Sequence, residues 1–210
     1  PLARAQGFVP HHRGGFVKAS ASPTKGYNFS AVSTLIGDAV AAKKLPGAVV
    51  LIGHDGKVVF EHAYGNRSLE PTVEPMTEDT IFDMASLTKC LSTAVAVMQL
   101  YEEHKLGFDD PVAKYLPGFA ANGKENVTIR ELLTHYSGLP PDVNLKDAWG
   151  LAAPDKAEGI RRALASPLVT QPGTHFEYSD INFITLGALV EKISGERLDV
   201  YAQQHIFTPL

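Results

Sequence analysis

The stretch Asp79-Thr80-Ile81-Phe82-Asp83-Met84-Ala85-Ser86-Leu87-Thr88-Lys89 leads into an apolar run at helical spacing, with Leu91, Val95, Met98 and Tyr101 on one stripe. In a helix, Ser86 and Lys89 stand one turn apart and share a face. A hydroxyl is thereby set beside an amine at a helix N-terminus. Serine is a poor nucleophile until a base removes its proton, and a lysine in a desolvated site can serve as that base. The N-terminal amides of the helix are close enough to stabilise developing negative charge. The pattern S-x-x-K is short, and a serine N-cap followed by a surface lysine satisfies it equally well.

The company of this stretch narrows the reading. About 90 residues on, Tyr178-Ser179-Asp180 precedes another apolar helical run, and a tyrosine can act as a second general base. Between the two lies Glu131-Leu132-Leu133-Thr134-His135-Tyr136-Ser137-Gly138-Leu139-Pro140. Together these segments resemble the superfamily of serine β-lactamases and penicillin-binding proteins. The branch they resemble holds class C β-lactamases, D-alanyl-D-alanine carboxypeptidases and family VIII esterases, and the resemblance runs from about Pro46 to the last residue. It implies an α/β (α+β) fold, with an antiparallel sheet flanked by helices and a mostly helical domain. It also implies Ser86 as the nucleophile that forms an acyl-enzyme, Lys89 as its neighbouring base or electrostatic partner, and Tyr178 as the second base. No metal or cofactor is implied.

Asp180 departs from the family pattern, which carries asparagine there. An asparagine can donate to a substrate carbonyl, whereas an ionised aspartate can only accept. Asp180 is therefore expected to favour a protonated Lys89 and to repel a substrate carboxylate, which points first to an ester or amide hydrolase without a strict carboxylate requirement, then to a β-lactamase, then to a D,D-carboxypeptidase. It also stands where it can cap the following helix. Tyr136 and Trp149 are candidates to line a substrate pocket, with core packing as the alternative use of either. His135 invites a Ser-His-Asp reading, but the chain has no G-x-S-x-G elbow. By resemblance its segment is a structural turn beneath the site.

Composition excludes other classes. The chain has 210 residues, 44% hydrophobic and 20% charged, with a formal net charge of −4, ordinary values for a globular protein. Its pI near 6.1 gives no electrostatic footprint for nucleic acid. It has no apolar run long enough to span a membrane. The single cysteine, Cys90, excludes an internal disulfide and reads as a small core residue. His11-His12 has no third ligand at a useful spacing. Ala3-Arg4-Ala5 has the small-x-small form of a signal-peptidase site without a preceding apolar run. A periplasmic or extracellular location is expected, with a cytoplasmic one left open.

Three regions are expected. Residues 1–28, rich in Gly, Pro, Ser and Ala, read as an extended arm. Residues 29–85 carry a helix capped by Ser30 and ended at Leu45-Pro46-Gly47, then strands at 48–52 and 57–61 joined by Asp55-Gly56, a strong hairpin signal. The unbroken apolar first strand predicts burial on both faces. Residues 65–76 read as a loop. Residues 86–210 form the helical domain. The Ser86 helix stops at about Gly107, Thr128 opens a capping box, and residues 136–154 form a long loop. Helices follow near 155–165, 180–194 and 198–206. The third motif of the family, Lys-Thr-Gly or His-x-Gly on an inner strand, is absent after Tyr178. His54-Asp55-Gly56 has the letters but precedes the serine and sits in a hairpin turn. An N-terminal portion of such a protein is thus expected, its sheet incomplete, with a C-terminal chain or segment as partner and a small molecule or peptide as substrate. A non-catalytic binding relative or an inactive fragment is the alternative from another class.

Overall fold

Asp55 and Gly56 take φ of 49° and 70°, both in the left-handed region that a type I′ hairpin turn requires. They join two antiparallel strands, β1 (Gly47–His54) and β2 (Lys57–Ser68), with His54 opposite Lys57. The computed structural model describes residues 26–144, 146 and 149–210. It divides into two compact units, one ending at Asp83 and one running from Met84 to Leu210. The expected arm, with Ala3-Arg4-Ala5 and His11-His12, lies outside the described residues as far as residue 25.

The first unit holds α1 (Ser30–Ala41) and a sheet of order β1-β2-β3, where β3 is the short pair Glu74–Pro75. Three expectations change here. Ser30 lies inside α1 rather than capping it: its amide donates to Asn28 Oδ1 at 2.9 Å, and the Ser33 hydroxyl bonds the Tyr64 hydroxyl at 2.8 Å. The expected loop from residue 65 begins as strand, because β2 continues to Ser68. Gly65, φ 67°, faces Gly47 across the pair, and a Cβ on Gly65 would strike the Pro46 carbonyl. Glycine here permits a close backbone approach instead of breaking the strand. Finally, β1 is not buried on both faces: none of its residues is fully buried, and Leu51 is 56% exposed. Among the described residues β1 is an edge strand, paired by β2 on one side only.

The second unit is helical and contains every fully buried apolar side chain among the described residues. A helical run over residues 87–102 opens with a π-helical turn, Lys89–Thr93, and continues as α2 (Ala94–Glu102). A π turn adds a residue to the ladder and rotates all that follows. The buried face is accordingly Thr93, Ala96, Val97 and Leu100, while Leu91, Met98 and Tyr101 of the expected stripe are exposed. Cys90 is also exposed and is not a core residue. The run ends before Gly107. His104 adopts φ 58°, and the Lys105 amide turns back to the Leu100 carbonyl at 2.9 Å.

Thr128 and Glu131 form the expected capping box of α3 (Ile129–Leu133). Asp155 caps α4 (Lys156–Ala165), and Gly195, φ 78°, ends α5 (Asp180–Ser194). The last segment is α6 (Leu198–Ala202), continued by a π turn to Phe207. The core gathers Val97 and Leu100 of α2, Ile129 and Leu132 of α3, Leu186 and Leu189 of α5, and Phe119. Burial of each such side chain contributes about 1.5–3 kcal/mol. That core fixes α2 against α5, and so fixes the two segments that carry the candidate site.

Candidate active site

Ser86 follows Ala85, whose φ of 43° is uncommon for a residue with a Cβ. The turn is closed by the Leu87 amide on the Met84 carbonyl and the Lys89 amide on the Ser86 carbonyl, at 2.9 and 3.1 Å. Lys89 comes one turn later and donates from Nζ to Ser86 Oγ at 3.3 Å. Its Nζ also pairs with Asp180 Oδ1 at 2.5 Å and lies 5.0 Å from the Tyr178 ring centre. The Lys89 side chain is 14% exposed, that of Asp180 47%. Ser86, Lys89, Tyr178 and Asp180 are therefore one cluster.

The charges follow from these contacts. Burial pulls the Lys89 amine down, but hydrogen bonds to Asp180 and Tyr178 outweigh it, and the net direction is up from 10.5. Lys89 is a cation at neutral pH and is not free to take a proton. Hydrogen bonds from Lys89 and then from Ser86 hold the Tyr178 phenol below its usual 10.0. The cluster thus sets an acidified phenol beside a fixed ammonium.

Tyr178 owes its place to a loop the sequence reading treated as mere scaffold. The Asp180 amide donates to the Pro141 carbonyl at 2.7 Å, the Ser179 hydroxyl to the Pro140 carbonyl at 2.6 Å, and the Glu177 amide to the His135 carbonyl at 2.9 Å. His135 Nδ1 accepts from the Ser179 amide at 3.1 Å and from Asn182 Nδ2 at 3.2 Å. Both bonds put the ring proton on Nε2. Burial first, then the Lys89 charge, keep this imidazole below 6.5 and neutral. Its ring packs on Tyr178 with centroids 4.6 Å apart. The Ser137 hydroxyl donates to Asn182 Oδ1 at 2.5 Å, and Ser137, Ser179 and Asn182 are fully buried. At Gly138, φ 79°, a Cβ would strike the Thr170 carbonyl. His135 is thus a positioning residue. The signal for this network was a polar Asn182 on the apolar side of a helix.

Ser179, not Asp180, caps α5: its hydroxyl accepts from the Asn182 amide at 3.4 Å, which frees the Asp180 carboxylate for Lys89. The two aromatic candidates stand apart from the cluster. Tyr136 is 39% exposed and meets Phe176 edge-on at 5.9 Å. Trp149 lies under the Arg162 guanidinium at 4.5 Å and against Gly159 of α4. A cavity of about 550 Å³ opens at Ser86, Lys89 and Asp180, and neither aromatic residue lines it. Among the described residues no group of three or more His, Cys, Asp or Glu is placed to hold a metal ion. None of their helices is long and apolar enough to cross a membrane.

A family model described as Beta-lactamase matches residues 32–210. A protein of Escherichia coli strain K12, provisionally named a D-alanyl-D-alanine carboxypeptidase, is 35% identical over 181 residues, covering 79% of this chain and 42% of its own length. The octameric penicillin-binding protein homologue from Pyrococcus abyssi superposes with a TM-score of 0.73 at 32% identity, covering 87% of this chain and 43% of that one. The hydrolase EstCE1, described as having promiscuous acyltransferase activity, gives a TM-score of 0.71 at 28% identity, covering 86% and 50%. The chain spans about two-fifths of the length of the curated relative.

Proposed function

Because this chain belongs to the beta-lactamase family, we propose that it carries the nucleophile and bases of a serine hydrolase acting on ester or amide bonds. The observation behind this reading is the single Lys89 ammonium shared by Ser86 Oγ, Asp180 and an acidified Tyr178. Tyr178, as phenolate, takes the Ser86 proton while Oγ bonds to the carbonyl carbon. Lys89 keeps its proton and stabilises the phenolate until the transfer, after which the phenol is neutral and the negative charge lies on the former carbonyl oxygen. The helical run that starts at residue 87 turns its partially positive end toward the oxyanion. Tyr178 then passes the proton to the departing alkoxide or amine as its bond to carbon breaks, leaving an acyl group on Ser86. Water, deprotonated by Tyr178, cleaves that ester and restores the serine.

Asp180 favours neutral substrates over carboxylate-bearing ones, which ranks esters and simple amides before β-lactams or D-alanyl peptides. We place the activity in the periplasm or outside the cell, on the likeness to a protein named as a D-alanyl-D-alanine carboxypeptidase. The test is covalent. A fluorophosphonate should label the native protein once, at Ser86, and Ser86→Ala should abolish both the label and ester turnover. A label on another serine, with activity surviving Ser86→Ala, rejects the assignment.

A further inference from the structure

The cavity at Ser86 is longer than the chemistry needs. It runs from Ser86, Lys89 and Asp180 along one face of α5, past Phe183, Ile184, Gly187 and Ala188. Gly159 and Ile160 of α4 form the facing wall, and Leu198 lies at the far end. Its middle is apolar. Among its charged lining residues, Lys156 pairs with Glu191 at 2.6 Å and Glu191 also accepts the Leu198 amide at 2.9 Å. The volume, about 550 Å³, is that of a small-molecule site rather than a packing defect.

Two wall residues are glycines within helices, a choice that costs about 1 kcal/mol each relative to alanine. At Gly187 a Cβ would come 3.1 Å from Leu198 Cδ2, so close packing accounts for that glycine. At Gly159 a Cβ would meet only the Trp149 ring, at 3.8 Å, an ordinary contact. Packing therefore does not require glycine at 159, where a Cβ would face Trp149.

We propose that this groove is the acyl subsite, and that it selects an unbranched, uncharged acyl chain of about eight to ten carbons. The proposal rests on Ser86 being the acylated nucleophile. Along α5 the eight steps from Asp180 to Ala188 rise about 12 Å, at about 1.5 Å each. An extended chain of eight to ten carbons covers about 10–12 Å, from the length of a C–C bond. The occupant is tethered, because Ser86 stands at the mouth and its acyl group has this groove to enter. It is not anionic, because the carboxylates lining the cavity, Asp142, Asp180 and Glu191, outnumber its ammonium groups, Lys89 and Lys156, and it is not cationic, because Phe183, Ile184, Ala188 and Ile160 offer a charge no partner. The alcohol or amine product leaves on the open side, where Tyr178 is 45% exposed.

The experiment is a chain-length series of p-nitrophenyl esters, acetyl to dodecanoyl, on the native protein, with matched alkyl fluorophosphonates to read acylation of Ser86 directly. Each methylene should raise kcat/KM about threefold to fourfold, the worth of one buried CH₂, to a maximum near eight to ten carbons. Ala188→Phe should move that maximum shorter by several carbons. Ile160→Phe, on the opposite wall, should do the same if Ala188→Phe does not fold. A profile that is flat or falls beyond acetyl overturns the subsite, as does one that neither folded variant shifts, while labelling of Ser86 leaves the serine-hydrolase reading standing. If no chain length labels Ser86, both readings fall.

Discussion

Asp180→Asn removes one negative charge beside the nucleophile and leaves the Lys89 ammonium, 2.5 Å away in the parent, without its counter-ion. The site becomes more positive by one unit. For a substrate carboxylate about 7 Å from position 180, that charge is worth roughly 0.6–2.4 kcal/mol, taking an effective dielectric between 80 and 20. The middle of that range, about 1.4 kcal/mol, is a factor of ten. A loosened Lys89 slows every substrate alike, so the informative quantity is a ratio. The kcat/KM for a carboxylate-bearing substrate such as a penicillin, divided by that for a neutral short-chain ester, should rise about tenfold in Asp180→Asn. The gain should shrink as ionic strength rises, because the Debye length is about 8 Å at 0.15 M and about 3 Å at 1 M. Both rates are measured on the same preparation at two salt concentrations. If the ratio does not move, or if it rises equally at both salt concentrations, the carboxylate is not an electrostatic filter.

Three further outcomes are expected. The rate should rise with pH as Tyr178 ionises below 10, and Lys89→Met, which removes the largest cause of that lowering, should move the limb upward, so that activity falls more at pH 8 than above pH 10. A limb that stays in place removes Tyr178 as the base. Ser137→Ala strips the donor from buried Asn182 Oδ1, and urea unfolding should show a loss of about 1–3 kcal/mol, with kcat reduced more than KM is changed. Lys124 is fully buried, donates to the Ser166 carbonyl at 2.6 Å, and is held below 10.5 by desolvation. The unfolded chain therefore binds that proton more tightly, and stability should climb with pH toward 10.5. Lys124→Met should abolish this climb, and unfolding curves at pH 7 and 9.5 that remain parallel to the parent's contradict the argument.

Local chemistry was legible and rotation was not. The hairpin at Asp55-Gly56 and the Thr128/Glu131 capping box depend on a few adjacent residues, and both stand where the sequence puts them. The proximity of Ser86 and Lys89 is likewise a matter of spacing within one turn. The π turn at Lys89–Thr93 left no mark in the pattern, because apolar residues occupy both the face that would be buried without it and the face that is. A one-residue rotation thus exposed Met98 and buried Val97. Gly65 was read as the start of a loop because spacing cannot reveal a facing backbone. Ser179 and Asp180 are both good caps, and only the carbonyls of Pro140 and Pro141, distant in sequence, decide between them. Trp149 went to Arg162 and Gly159, partners that no nearby pattern announces.

The clamp between residues 135–141 and 177–182 makes the two halves of the site unequal in stiffness. The Ser179 and Asp180 amides are bonded across the chain to His135 Nδ1 and the Pro141 carbonyl, and Ser179 is fully buried. Breaking those bonds means parting α5 from its loop, so deuterium should enter these amides only at the slow rate of near-global opening. The amides of Thr88 and Lys89 close onto carbonyls three residues back, at 3.0 and 3.1 Å, in a turn that starts from a strained Ala85. Such a turn can yield without disturbing the core. Tyr178 is then the fixed reference of the pair, and Ser86 is the part that gives. With Ser86 as the proposed nucleophile and Tyr178 as the proposed base, substrates of different bulk should be met by movement of Ser86 toward Tyr178, and a change at Ala85 should alter the compliance of the site before its chemistry.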